Sequence, residues 1–103
     1  MATQRLIRSV NPATEEVLAT FEPATSAQIE RALSDAERTY RQWRQTSFSE
    51  RAALLQQAAA YLREHRPRLA GLITAEMGKP IAEAEAEIEW CTEHDDEIGP
   101  ALQ

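Results

Sequence analysis

The sequence predicts a mainly α-helical fold: an N-terminal β-hairpin followed by about four helices. Three observations carry this. Two short runs rich in β-branched residues, "RLIRSV" and "EVLATFE", flank the turn-forming "NPATE". From about residue 25 onward, apolar residues recur at steps of three and four. Proline and glycine then interrupt that period at residues 67 and 78–80. At 103 residues the chain is one small domain or a piece of a larger one. A compact chain of this size hides roughly 65% of its unfolded surface, enough for one modest core.

The hairpin is expected over residues 5–22. Asn11 and Pro12 supply its turn chemistry, and two strands alone are marginal in water, so they need a surface to lie on. The first helix, about 27–45, places Ile29, Ala32, Leu33, Ala36, Tyr40 and Trp43 on one face, with Thr25 or Ser26 as its cap. The second, about 48–65, begins at "SFSE", where Ser47 and Glu50 have the spacing of a capping box. Its inward face reads Leu55, Ala58, Ala59 and Leu62, with Ala52 a further candidate. Pro67 has no N–H and a fixed φ, which predicts a break near His65–Arg66 and a third helix over 67–77. Leu69, Leu72, Ile73 and Met77 form that helix's apolar side. Gly71 weakens it by about 1 kcal/mol relative to alanine, and Gly78 is placed to end it in the left-handed conformation.

The last helix, about 80–97, is opened by Pro80. Ile81, Ala84, Ile88 and Cys91 make a stripe, but Asp95 falls on the same stripe and Trp90 lies opposite it. Asp95, Asp96 and Glu97 also sit near a helix end that favours cations.

Composition narrows the function classes. With 43% hydrophobic and 27% charged residues the chain is ordinary for a globular segment and too apolar for disorder; aromatics are only 6%, so the core must be aliphatic. The net charge of −6 is uneven. Residues 81–103 hold eight acids and no Lys or Arg, which leaves residues 1–80 slightly basic. An acidic C-terminal segment argues against nucleic acid as its partner, since phosphate neutralisation needs clustered cations. A solvated helix face explains the acids without any ligand; a basic partner surface is the functional alternative. Cys91 is the only cysteine and cannot form an internal disulfide, which favours a reducing, cytoplasmic setting. "MATQRLIRSV" lacks the apolar run of a signal peptide, and no stretch approaches the roughly 20 apolar residues of a membrane span.

Three local patterns invite chemical readings. "EMGKP" has one glycine before its lysine, and Pro80 removes a donor, so it lacks the N–H array and the Ser/Thr of a phosphate loop. A helix stop, one residue and a helix start explain it structurally. Cys91 and His94 stand three apart, as two metal ligands or a nucleophile and base would. Two ligands do not fill a zinc site, however, and the neighbouring acids oppose thiolate formation, so a half-buried structural cysteine is the simpler reading. "HDDE", residues 94–97, lacks the alternate spacing and obligate glycine of a calcium loop and reads as an exposed acidic turn.

Taken in order, "NPATEEVLATFEPAT", Trp43 followed by "TSFSERAALL", and "ITAEMGKPIAEAEAEI" resemble the opening segment of the NAD(P)-dependent aldehyde dehydrogenases, most closely the succinate-semialdehyde dehydrogenase branch. The resemblance covers about residues 6 to 90. It implies a hairpin and helices that pack on a Rossmann-like cofactor domain, in an enzyme that oxidises an aldehyde to a carboxylic acid with NAD or NADP. It assigns no catalytic, cofactor-binding or metal-binding duty to Asn11, Pro12, Trp43, Arg51, Glu76, Gly78, Lys79 or Pro80. The family's oxyanion-stabilising Asn, ribose-binding Lys, cofactor turn, general-base Glu and Gly-Gln-x-Cys nucleophile have no counterpart here; Cys91, in "EIEWCTEH", is not that nucleophile.

Two departures stand out. Glu15 occupies a turn position where the family often has glycine, which costs about 1–2 kcal/mol if a left-handed conformation is required. "EWCTEHDDEIGPALQ" reads like a longer family helix with residues missing. The expectation is therefore a truncated aldehyde dehydrogenase over 1–103, binding no cofactor and inactive by itself, with apolar faces left incompletely covered. Its expected partners are itself or the missing remainder of the enzyme, and neither nucleic acid nor a membrane. The alternatives are a stand-alone helical interaction module and one chain of a split enzyme.

Overall fold

Helices 2, 3 and 4 form a layer because small side chains let them approach. In the computed structural model, which describes residues 5–101, the chain runs β1 (Ile7–Val10), β2 (Val17–Phe21), α1 (Ser26–Trp43), α2 (Phe48–Glu64), α3 (Arg66–Met77) and α4 (Ile81–Ala101). The central element, α4, packs against both α2 and α3. The residues withdrawn from solvent are Ala52 and Ala59 on α2, Ala70 on α3, and Ala84, Ile88 and Thr92 on α4. Ala84, Ile88 and Thr92 are spaced by four and lie along one side of their helix. The fully buried Thr92 hydroxyl donates to the Ile88 carbonyl oxygen at 2.9 Å and is satisfied within its own helix, whereas the Thr74 hydroxyl on α3 is buried without a hydrogen-bond partner.

Local chemistry sets the helix ends. Thr25 and Gln28 form a capping box at the start of α1, and Ser47 and Glu50 form another at α2. Pro67 lies in the first turn of α3, where its missing N–H breaks no helical bond. Gly78 closes α3 at φ 72°, its N–H donating to the Thr74 carbonyl oxygen at 2.9 Å. The Pro80 carbonyl accepts from Ala84 N at 3.0 Å and so begins α4.

Several expected boundaries shift. The first helix ends at Trp43 rather than near 45, because Gln45 and Thr46 turn back to hydrogen-bond Gln42 and Trp43. The third starts at Arg66, one residue before Pro67, and the fourth continues past 97 to Ala101. The inward faces shift too. Leu55 and Leu62 are half-buried and Ala52 and Ala59 buried, but Ala58 is exposed. On α3, Leu72 and Met77 are exposed, and the buried position is Ala70. On α4, Ile81 is exposed while Thr92 is buried. In each case a small residue occupies the line of closest helix approach, and the larger neighbours sit at its margins. The side chains of His94, Asp95, Asp96 and Glu97 lie outside the described residues.

The hairpin is antiparallel, pairing Ile7 with Phe21, Arg8 with Thr20, Ser9 with Ala19 and Val10 with Val17, with an irregularity between Ser9 and Val10. Asn11 organises its turn. The Oδ1 atom accepts from Ala13 N at 2.9 Å, the carbonyl accepts from Glu15 N at 2.8 Å, and the amide donates to the Glu16 carbonyl at 2.9 Å. This closure places Glu15 at φ 63°, so the left-handed conformation that would carry a cost for a non-glycine residue is the one adopted.

The first helix is the exception to all this packing. None of its residues is buried; Leu33 is 61% exposed and Tyr40 59%. The radius of gyration is 18.2 Å and the extents are 50 × 40 × 16 Å, against about 13 Å for a compact domain of this length. The molecule is a thin plate with an outlying helix. No helix among the described residues is long and apolar enough to cross a membrane.

Two predictions follow from the turn and the cap. Glu15→Gly removes the side-chain penalty at φ 63° and should raise stability by about 1 kcal/mol after the greater flexibility of glycine in the unfolded chain is deducted, measured by urea titration of the helical circular dichroism. The second concerns Glu50, whose carboxyl is held below its usual 4.5 by hydrogen bonds from the Ser47 amide and then the Ser47 hydroxyl. Its contribution is complete above that ordinary value and lost as pH falls through the lowered one. Wild-type α2 should therefore lose stability on acidification in that window relative to Glu50→Gln, whose amide oxygen still accepts from Ser47 at every pH.

Candidate functional site

The two sequence blocks that look unrelated along the chain, "NPAT" and "EMGKP", meet in space. Ser9, half-buried on β1, donates its hydroxyl to Glu76 Oε1 on α3 at 2.7 Å. The Pro12 ring lies against Gly78: a Cβ added at Gly78 would stand 3.3 Å from Pro12 Cγ. The hairpin is thus seated on the corner between α3 and α4. Gly78 serves twice there, supplying the left-handed backbone and leaving room for the ring.

Beside this corner lies an open cleft of about 470 Å³, lined by Ile73, Met77, Gly78, Lys79, Pro80, Glu83 and Glu87. Its one cation, Lys79, donates to Glu87 Oε2 at 2.5 Å. That hydrogen bond raises the Lys79 pKa above its ordinary value; burial opposes it, and the charges of Glu87 and then Glu83 add to the rise. A lysine serving as nucleophile or general base needs the opposite shift. Lys79 is an ammonium committed to a carboxylate, so the cleft's chemistry is that of a structural joint.

A second junction joins α1 to α2. Arg51, half-buried, donates from Nε to Thr46 Oγ1 at 2.9 Å and from Nη2 to the Trp43 carbonyl at 3.1 Å. Its guanidinium carbon stands 5.2 Å from the Trp43 ring centroid. Thr46 donates to the same carbonyl from its hydroxyl at 2.7 Å.

Cys91, singled out in the sequence, does not join these junctions, and the side chain of His94 lies outside the described residues. Cys91 is half-buried on α4, and among the described residues no group of three His, Cys, Asp or Glu could hold a metal ion. Nor do the described residues fit a dinucleotide. The paired strands are antiparallel rather than a βαβ unit, the Gln28 and Glu50 amides in the first turns of α1 and α2 donate to their own capping residues, and Lys79 is engaged by Glu87. Sequence reasoning assigned no role to Ser9, Glu76 or Arg51 because each acts through a partner set by folding. The 67-residue separation of Ser9 and Glu76 leaves no periodic trace.

The two glycines of α3 should respond oppositely to alanine. At Gly78 a methyl group meets both a left-handed backbone and the Pro12 ring, so Gly78→Ala should destabilise the chain by about 1–2 kcal/mol. At Gly71 nothing lies within 4 Å of the added carbon, and Gly71→Ala should stabilise it by about 1 kcal/mol. Equal effects in thermal or urea melts would refute the assignment of Gly78 to the corner.

The model of the aldehyde dehydrogenase family matches residues 1–99. A succinate-semialdehyde dehydrogenase (NADP+) of Deinococcus radiodurans is 41% identical over 85 residues, 82% of this chain and 18% of that enzyme. A succinate semialdehyde dehydrogenase (NAD(P)+) of Escherichia coli K12 is 40% identical over 101 residues, 91% of this chain and 21% of that enzyme. Among solved structures, lactaldehyde dehydrogenase from Escherichia coli superimposes with a TM-score of 0.86 at 28% identity, covering 99% of this chain and 21% of that one. The chain therefore spans about a fifth of the length of these relatives. With the hairpin, the "EMGKP" corner and the helical layer all matched, this chain belongs to the aldehyde dehydrogenase family.

Proposed function

We propose that this chain is the N-terminal packing segment of an NAD(P)-dependent aldehyde dehydrogenase of the succinate-semialdehyde type, working in a reducing, cytoplasmic setting. In this reading its contribution to oxidising an aldehyde to a carboxylic acid is surface rather than chemistry. The observation that carries it is the uncovered apolar stripe of α1. Ile29, Leu33, Tyr40 and Trp43 share one face and are 41–61% exposed. On the hairpin, Ile7 and Phe21 are 56% and 55% exposed. Apolar faces on this scale are covered in a finished structure, and the similar enzymes possess some four-fifths of a chain with which to cover them. NAD or NADP and the aldehyde belong, on this view, to that remainder. By itself the chain turns over nothing.

The reading is tested with the chain alone and with a separately produced remainder of the Escherichia coli relative, beginning after the matched segment. Alone, it should neither reduce NAD(P) with succinate semialdehyde nor bind the cofactor at millimolar concentration, and it should bind ANS and self-associate. Mixed with the remainder, it should restore succinate-semialdehyde-dependent NAD(P) reduction that the remainder lacks. Saturable turnover by the chain alone that disappears in Cys91→Ala would overturn the proposal. So would a monodisperse, ANS-silent monomer with a sharp melt that gives no complementation, which is the behaviour of an independent interaction module.

A further inference from the structure

α1 buries none of its residues and makes no extensive contact with the α2–α3–α4 layer, so its orientation depends on its joint with α2. The hydrogen bonds of its joint with α2 gather at the carbonyl of its last residue, Trp43. The Trp43 oxygen accepts from Thr46 N at 3.0 Å, from Thr46 Oγ1 at 2.7 Å and from Arg51 Nη2 at 3.1 Å. Arg51 belongs to the first turn of α2, so its guanidinium crosses from one helix to the carbonyl end of the other, where the helix dipole favours a cation. The same side chain holds the Thr46 hydroxyl at 2.9 Å and spans the Trp43 ring at 5.2 Å. The Ser47 and Glu50 capping box fixes the start of α2, and Ser47 directly follows Thr46.

We propose that Arg51 is a splint: it fixes α1 relative to the helical layer so that the helix's apolar face is presented in a set orientation before anything covers it. A planar fork of donors is required, since one nitrogen reaches the Thr46 hydroxyl, another the Trp43 carbonyl, and the plane approaches the ring; a lysine supplies one point charge for three contacts. The splint gives the proposed docking function its preorganisation, lowering the conformational entropy lost when α1 meets the remainder of the enzyme, and to that extent it rests on that reading. Its own existence is a property of this chain alone.

The test is a distance distribution across the joint. Spin labels at Glu30→Cys on α1 and Gln57→Cys on α2, in a Cys91→Ser background diluted with unlabelled chain, report the angle by double electron–electron resonance. The wild-type joint should give one narrow distribution. Arg51→Ala should at least double its width, Arg51→Lys should broaden it to a lesser extent, and Arg31→Ala, a change at an exposed cation off the joint, should leave it unchanged. The thermal melt of the α2–α4 layer should stay within a few degrees throughout. If Arg51→Ala loses its helical signal, Trp43→Leu, which removes the ring and keeps the carbonyl, must broaden the distribution part of the way in a folded chain. A wild-type distribution already as broad as that of Arg51→Ala, or a width indifferent to both Arg51→Ala and Trp43→Leu, would overturn the proposal. A narrow distribution together with failed complementation would leave the splint standing and sink the docking function.

Discussion

Alanine at the points of closest approach is the constraint on which the rest of this chain depends. Ala52, Ala59, Ala70 and Ala84 disappear from solvent, and among the described residues only Ile88 and Thr92 join them, so α4 is held by backbone proximity more than by large interlocking side chains. Each methyl group contributes little hydrophobic free energy, on the order of 1 kcal/mol. Their value lies in what they permit: dispersion contacts along the length of two helix pairs, with the larger Leu55, Leu62, Leu69 and Ile73 closing the edges. A bulkier residue on that seam would push α4 outward. The α3–α4 corner and the hairpin seated on it would then move with it.

The corner shows how a local conformational requirement becomes a tertiary one. Gly78 ends α3, and the same missing side chain admits Pro12, so a helix cap and a hairpin seat share one residue. The Ser9–Glu76 hydrogen bond adds direction to that contact. Surface ion pairs do much less. Arg38–Asp35 and Arg41–Glu37 are exposed pairs within one helix, the kind whose net contribution is near zero to about 1 kcal/mol. Lys79–Glu87 matters chiefly for electronic reasons, because it keeps the one cation of the corner cleft from acting as a base.

A plate about one helix layer thick, with an outlying amphipathic helix and a hairpin exposed on both edges, has the form of one side of an interface. That form accords with membership of a family whose similar members are about five times longer. Within the plate Lys79 is engaged by a carboxylate, and Cys91 stands half-buried on the central helix. The residues with the most specific geometry, Arg51, Gly78, Ser9 and Glu76, all act on the positions of other elements.

Much of the local architecture was legible in the sequence, because its causes are local. Thr25, Ser47 and Glu50 declare helix starts through side chains that reach only three residues. Gly78 declares a stop, and Pro67 and Pro80 declare starts, through backbone sterics, and the strain at Glu15 follows from the Asn11 turn that encloses it. The apolar stripe of α1 is a matter of period alone. Tertiary structure decided what that stripe does not meet: α1 buries nothing, although its periodicity is the cleanest in the chain. It also decided which residues of α2, α3 and α4 are inside. Hydrophobicity nominated Ala58, Leu72, Met77 and Ile81, all exposed, whereas helix proximity selected Ala70 and Thr92. The junctions at Ser9–Glu76 and Arg51–Trp43 could not be read for the same reason. Periodicity reports which side of a helix is apolar, but which residue on that side lies at the contact depends on the angle and register of another helix, and these exist only once the chain has folded.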